Sequence, residues 1–183
     1  MYYLNASKTE KEIVQNSKEI LLKNGYVDIS EKDVLVPGDK VFYVNRGRCL
    51  YAAVIGTDNT ENGFKIVAAH CDSPRIDLKQ NPLYEDQGLG MLKTHYYGGI
   101  KKYQWTNIPL SIHGTVVKQD GEKVNICIGE KEEDPIFTIS DLLPHLAQEQ
   151  MERKLKDGVQ GEELNVLMGS IPYDCDEVSE RVK

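Results

Sequence analysis

The most informative segment for the fold spans residues 64–74 and reads Phe64-Lys65-Ile66-Val67-Ala68-Ala69-His70-Cys71-Asp72-Ser73-Pro74. Residues 66–69 are continuously apolar and are either β-branched or small, which is typical of a strand buried on both faces of a sheet. Pro74 ends the run. We therefore predict a buried strand whose polar end lies in the crevice beyond the strand ends, where open α/β sheets usually bind ligands.

The polar residues that follow the apolar run have a spacing suited to a metal site. His70 and Asp72 are two residues apart, so on an extended backbone their side chains point to the same side, whereas Cys71 points to the other. One imidazole nitrogen can then bind a metal while the carboxylate fixes the tautomer or orients a partner. The alternative is a hydrogen-bonded pair that closes a turn. Cys71 as a nucleophile is disfavoured by its opposite direction.

Length and composition set broad limits on the class of protein. A chain of 183 residues with 40% hydrophobic content can form one ordinary domain or two small ones. No run approaches the roughly 18 apolar residues of a membrane span, and residues 1–6 lack the features of a signal peptide. We therefore expect a globular cytoplasmic protein with no membrane partner. The four cysteines are far apart, which predicts reduced thiols, not a structural zinc site.

The charge balance argues against a nucleic-acid partner. The formal net charge is −7 and the pI is about 5.2. Nucleic-acid binding requires clustered Lys and Arg side chains that displace counterions from phosphates. An acidic balance is compatible with metal binding and with attraction of the ammonium end of a peptide.

The first part of the chain predicts a helix and a hairpin. Residues 9–12 form a capping box, in which Thr9 and Glu12 satisfy each other's backbone N–H groups, so a helix should begin there. Asn24-Gly25 supplies its C-terminal stop. Residues 41–44 and 49–55 are strand-like and flank a turn that contains Gly47, which predicts an antiparallel pair. This pair beside the buried strand implies a mixed sheet.

The second part of the chain predicts mainly β-structure. The expected strands are 75–79, 89–97, a hairpin of 111–117 with 123–128, and a short strand within 164–169. The hairpin turns at Asp120-Gly121, a dipeptide that favours tight turns. A helix is predicted over 142–156, because Ser140 can cap its start and basic residues suit its end. Residues 171–183 are expected to form a turn and a charged tail.

The motif at residues 68–74 resembles the Ala-His-Thr-Asp-Ser-Pro signature of the M18 family of zinc aminopeptidases, the aspartyl aminopeptidase group. Cys71 stands where threonine is usual in that signature. Further segments resemble successive landmarks of the family in the same order, namely Lys8-Thr9-Glu10, Gly38-Asp39-Lys40-Val41, Val44-Asn45-Arg46-Gly47, Tyr97-Gly98-Gly99 and Leu143-Pro144-His145-Leu146-Ala147. The resemblance covers essentially the whole chain.

The resemblance implies a fold, an activity and an assembly. It implies a partial α/β zinc-peptidase catalytic domain with a mixed sheet over residues 1–97, followed by part of an inserted β-rich dimerisation domain over residues 98–183. It implies hydrolysis of the amino-terminal residue of peptide substrates, with Asp or Glu as a candidate residue, by a pair of Zn²⁺ ions per active site. It also implies a dodecameric homo-oligomer.

The resemblance assigns roles to three residues. His70 would be a zinc ligand. Asp72 would be a carboxylate that orients a metal-bound group without itself binding the metal. His145 would reach from the inserted domain into the active site of a neighbouring subunit and stabilise the oxyanion of the reaction.

The remaining ligands of such a site have no matching motif in this chain. A catalytic zinc needs about three protein ligands, and the family supplies them later, as carboxylates and a final histidine. We therefore interpret the chain as the amino-terminal portion of a longer enzyme and expect the 183 residues alone to be inactive. The alternative hypothesis is an inactive fragment that acts through self-association or binds a homologous subunit.

Overall fold

A computed structural model describes residues 2–171 of the chain. The predicted capping box lies at the start of its longest helix. Helix α1 spans Tyr2–Asn5 and helix α2 spans Glu10–Lys23. The Thr9 hydroxyl accepts the N–H of Glu12, and the Glu12 carboxylate accepts the N–H of Thr9 at 2.9 Å. Asn24 is the C-cap, so both predicted ends of the helix are confirmed.

The first unit, Met1–Ser73, contains a three-stranded mixed sheet. Its strands are β1 (Val27–Asp28), β2 (Lys40–Asn45) and β3 (Cys49–Val54). Strand β1 is parallel to β2, and β2 is antiparallel to β3. The β2–β3 turn has positive φ at Arg46 (52°) and Gly47 (68°), the geometry that the twist of a tight hairpin favours. The predicted hairpin and mixed sheet are confirmed.

The prediction of a buried strand over residues 66–69 is wrong for the chain as described. No strand within residues 2–171 pairs with this segment, and it has no regular secondary structure. Its apolar side chains face solvent: Phe64, Ile66 and Val67 are 78%, 74% and 98% exposed. An apolar run is buried only when neighbouring strands and covering helices are present, and the described residues provide neither for this segment.

The second unit spans Pro74–Lys183, and strands are the predominant regular secondary structure of its described residues. Strands β4 (Arg75–Asp86), β5 (Leu89–Tyr97) and β8 (Val166–Gly169) form an antiparallel sheet in the order β4-β5-β8. Strands β6 (Ile112–Val117) and β7 (Lys123–Ile128) form the predicted hairpin. All the strands predicted after Pro74 are therefore present. Strand β4 extends beyond the predicted residues 75–79, because its pairing with β5 resumes at Leu83 after a register shift between Leu78 and Leu83.

The core of the second unit lies between the β4-β5-β8 sheet and the connections around it. Its buried members are Leu92, Phe137, Ile139, Val159, Leu164 and Val166. Thr94 is the buried polar residue beside this cluster, and its hydroxyl donates a hydrogen bond to the carbonyl of Leu164. The loop that carries Leu164 is thereby attached to β5 by both apolar packing and a buried hydrogen bond.

The helix predicted over residues 142–156 is wrong in extent. Helix α3 spans only Gln148–Glu152, and residues 144–146 form a turn. Leu142, Leu143 and Leu146 are exposed. Short helices are stable mainly when an apolar face packs against the rest of a fold, and these leucines have no such packing. Of the basic residues predicted at the helix end, Arg153 and Lys154 directly follow α3, and Lys156 lies in a separate 3₁₀ turn, Leu155–Asp157.

Two further predictions concern boundaries. The two compact units meet between Ser73 and Pro74. The predicted boundary between a catalytic and an inserted domain, at residues 97 and 98, is a different division and stays a prediction. The predicted charged tail lies almost wholly outside the described residues. No helix within residues 2–171 combines the length and the apolar character that a membrane crossing requires.

Candidate functional site

The structure brings His70 and Asp72 into direct contact in the first unit. His70 Nδ1 lies 2.8 Å from the backbone oxygen of Asp72 and 3.3 Å from its carboxylate Oδ1. A carbonyl oxygen can only accept a hydrogen bond, so Nδ1 carries the proton in this contact. The neutral ring then has its lone pair on Nε2. The pair thus has the arrangement in which one nitrogen is oriented by an oxygen and the other is able to bind a metal.

The surroundings of this pair are open. The side chain of His70 is 82% exposed and that of Asp72 is 44% exposed. The expected crevice at the end of a buried strand is not formed by the described residues, because the preceding segment is itself exposed. Cys71 is half-buried and is a free thiol.

The described residues do not build a complete metal centre. A catalytic zinc takes about three protein ligands. Within residues 2–171, no group of three or more His, Cys, Asp or Glu side chains is arranged to hold a metal ion. His70 fits the role of a single imidazole ligand, and further ligands would have to come from outside the described residues.

His145 lies in the second unit, in the turn that precedes α3. Its residue is exposed, and it follows Pro144 in a segment with a hydrogen bond from the N–H of Leu146 to the carbonyl of Leu143. His145 and the His70 pair belong to different units. Its assigned role in a neighbouring subunit stays a prediction.

A second cluster of polar side chains, which sequence reasoning missed, lies at the open end of the β6–β7 hairpin. Ser111 Oγ donates to Glu130 Oε1 at 2.8 Å, and His113 Nε2 lies 3.1 Å from each of these two atoms. Serine, histidine and an acid also form hydrolase triads, but there the serine and the acid contact opposite ring nitrogens. Here both contact Nε2, so the cluster does not have the geometry of a triad. The hairpin register, which pairs Ile112 with Ile128, could have indicated this proximity.

Comparison with known proteins extends over the whole chain. The family model of the aminopeptidase I zinc metalloproteases (M18) matches residues 3–181. An M18 family aminopeptidase 1 of Clostridium acetobutylicum is 51% identical over 185 aligned positions, which cover 99% of this chain and 40% of that protein. The chain thus spans about 40% of the length of the curated relatives it matches.

Solved structures agree with this result. The crystal structure of an M18 family aminopeptidase from Thermotoga maritima has a TM-score of 0.92 and 44% identity, covering 100% of this chain and 40% of that one. The crystal structure of aminopeptidase I from Borrelia burgdorferi has a TM-score of 0.83 and 40% identity, covering 97% and 39%. The mixed α/β fold, the sequence match over residues 3–181 and the histidine–aspartate motif lead to one conclusion: the chain belongs to the M18 family of zinc aminopeptidases.

Proposed function

We propose that this chain is the amino-terminal portion of a zinc aminopeptidase and that it contributes one metal ligand, His70, to the active site. The observation that carries the proposal is the contact between His70 Nδ1 and Asp72, because it leaves Nε2 available on an exposed ring. Membership of a zinc peptidase family supports the choice of metal. The pair of zinc ions and the removal of an amino-terminal residue, with Asp or Glu as the candidate, are parts of this proposal.

The roles of the chain's own residues follow from this geometry. Zinc, when bound, lowers the pKa of water and polarises the scissile carbonyl. Asp72 keeps the proton of His70 on Nδ1 and fixes the direction of the ring, which is what the oxygen partners of metal-bound histidines do. His145, presented by the second unit of a neighbouring subunit in a dodecamer, would donate a hydrogen bond to the oxygen on which charge develops. We place this enzyme in the cytoplasm.

The test is the tautomer of His70 and its response to zinc, measured by ¹⁵N NMR on the 183-residue chain. We expect the Nδ1–H form to dominate and the Nε2 resonance to shift on titration with zinc chloride. Calorimetric titration with zinc chloride extends the test to variants: His70→Ala should lose most of the zinc response, and His145→Ala is the matched control that should retain it. A dominant Nε2–H form, or an unchanged zinc response in His70→Ala, would contradict the proposal.

A second candidate function is supported by the exposed apolar side chains of residues 64–67. They favour an inactive fragment that acts by binding itself or a homologous subunit. Light scattering distinguishes the two candidate functions. Binding to itself or to a homologous subunit requires a stable complex in the absence of zinc, whereas the contribution of a metal ligand does not.

A further inference from the structure

The feature that the proposed function leaves unexplained is how an exposed loop holds His145 in place. The loop comprises residues 141–150 and is called here the His145 loop. Leu143 and Leu146, on either side of His145, are 68% and 72% exposed, so apolar packing does not hold its tip. A group that stabilises charge in a transition state has to be in the right position before the reaction. The proposed role of His145 therefore requires other contacts that order the loop.

Hydrogen bonds close the His145 loop at its base. Asp141 Oδ1 accepts the backbone N–H of Leu142 at 2.8 Å and the side-chain amide of Gln150 at 2.9 Å. The second of these bonds joins the first and the last residue of the loop. Between them, Ala147 is buried, with 4% of its surface exposed. The orientation of the loop therefore depends on Gln150 and Ala147, which lie in α3 and directly before it.

Helix α3 needs support from the rest of the second unit to provide this orientation. It has five residues, and isolated helices of this length are unstable in water. Its N-cap residue, Ala147, makes no side-chain capping hydrogen bond. Contacts at the other end of the helix must therefore fix its direction.

Arg153, the C-cap residue of α3, makes such contacts. Its Nη2 donates to Glu149 on α3 at 3.2 Å, and its Nη1 donates to Glu163 at 3.1 Å. The other carboxylate oxygen of Glu163 accepts the N–H of Gln160 at 2.8 Å, which orients this carboxylate. Glu163 and Glu149 both raise the pKa of Arg153. Because the nitrogens of a guanidinium lie in one rigid plane, this single side chain fixes the two carboxylates relative to each other.

The anchor of this bridge lies next to the core of the second unit. Glu163 ends the 3₁₀ turn Gly161–Glu163, and the next residue, Leu164, is fully buried. The carbonyl of Leu164 accepts the hydroxyl of Thr94 on β5. Arg153 itself lies nearer the surface, with 24% of its side chain exposed. Removal of its guanidinium should therefore release α3 without unfolding the core.

We propose that Arg153 is a positioning residue for His145: by bridging Glu149 and Glu163, it holds α3, and the turn before α3 that carries His145, in one orientation. The proposal rests on the proposed function only for what His145 does to the substrate. Arg153 acts through α3 and is assigned no contact with the substrate. Glu163 is the fixed end of the bridge, and Glu149 is the end that moves with the helix.

The experiment measures the order of the His145 loop by ¹⁵N relaxation and amide exchange in the 183-residue chain. We expect a backbone order parameter of about 0.85 for His145 in the wild type and below about 0.7 in Arg153→Ala. The N–H of Met151 donates to the carbonyl of Ala147 at 2.8 Å. It should exchange at least about fivefold faster in this variant. The urea midpoint and the exchange of the β5 amides should stay close to those of the wild type.

Three further variants test the bridge itself. Arg153→Lys keeps the charge but lacks the rigid fork, so the order of His145 should be intermediate. Glu149→Ala replaces a side chain that is 89% exposed, and it should loosen His145 as Arg153→Ala does. Lys118→Ala is the matched control, because it removes an exposed ion pair with Glu122 elsewhere in the same unit. It should leave the order of His145 unchanged.

Several results would overturn the proposal. Wild-type order of His145 in Arg153→Ala or in Glu149→Ala would do so, as would equal loosening in Lys118→Ala. A lower urea midpoint with faster exchange throughout β5 would assign Arg153 to the stability of the whole unit, and would overturn the proposal as well. His70→Ala should keep the wild-type order of His145. Zinc binding by His70 and positioning by Arg153 can therefore fail independently of each other.

Discussion

At the scale of single residues, the buried hydroxyl of Thr94 is a point of unusual sensitivity. It lies beside the core of the second unit and donates to the carbonyl of Leu164. Thr94→Val should reduce the free energy of unfolding by about 1–3 kcal/mol, because the Leu164 carbonyl would stay buried without a donor. Urea unfolding followed by the fluorescence of Trp105, the sole tryptophan, reports on this core.

The matched control for this change is Thr115→Val on the exposed surface of β6. Thr115 Oγ1 donates to Asn125 at 3.1 Å in an exposed position, where water can replace the hydroxyl. We expect a much smaller change in the urea midpoint. Equal effects of the two substitutions would show that the Leu164 hydrogen bond does not stabilise the core.

A second residue-scale prediction concerns pH. Three backbone N–H groups donate to Asp134 Oδ2, those of Gly129, Lys131 and Glu130. These hydrogen bonds lower the pKa of Asp134 below its ordinary value. A lowered pKa in the folded state stabilises the fold above the ordinary carboxyl pKa, and this contribution is lost as pH falls through the lowered value. Asp134→Asn should therefore lower the urea midpoint near neutral pH, and the difference from the wild type should shrink below about pH 4.

Glu133→Gln removes a carboxylate from the same loop and serves as the control for charge. Its urea midpoint should follow that of the wild type across the same pH range. If the difference in urea midpoint between Asp134→Asn and the wild type stayed constant from neutral to acid pH, the ionised carboxylate would be excluded as the stabilising group.

At the scale of elements, the β6–β7 hairpin is closed by a glycine that a side chain would disrupt. Gly129 directly follows β7 and has φ of +101°, and a Cβ there would lie 3.0 Å from the Cα of Ser111. Gly129→Ala should destabilise the second unit by about 1–3 kcal/mol from backbone strain, with more from the close approach. Gly114→Ala in β6 is the control, since a Cβ there meets nothing within 4 Å. Similar urea midpoints for the two variants would contradict this account.

Also at this scale, elements with local signals were predictable from sequence. The capping box of α2, the turn at Gly47 and the Asp120-Gly121 turn each depend on residues within a few positions of one another. The prediction of a helix over residues 142–156 was wrong in extent for the opposite reason. That helix requires a packing partner for its leucines, and local sequence does not reveal whether one is present.

For the whole molecule, peptidase activity depends on whether a full set of metal ligands is present. The described residues hold no group of three metal-binding side chains, so we expect the 183-residue chain with added zinc to release no amino acid from aminoacyl substrates above a His70→Ala control. A fluorogenic aspartyl or glutamyl substrate provides the measurement. Release above that control would show that the chain has a complete site and would contradict the fragment hypothesis.

The amino-acid sequence alone was enough to predict the family, the capping of α2, the strands on either side of the hairpin turns, and the candidate pair His70 and Asp72. These features depend on short-range backbone interactions and on a motif whose residues are neighbours in the sequence. The three-dimensional structure was needed to show that residues 64–69 are exposed, that α3 is short, and that Ser111, His113 and Glu130 are in contact. Burial and long-range contacts depend on which other segments pack against a given one, and a local sequence pattern does not contain that information.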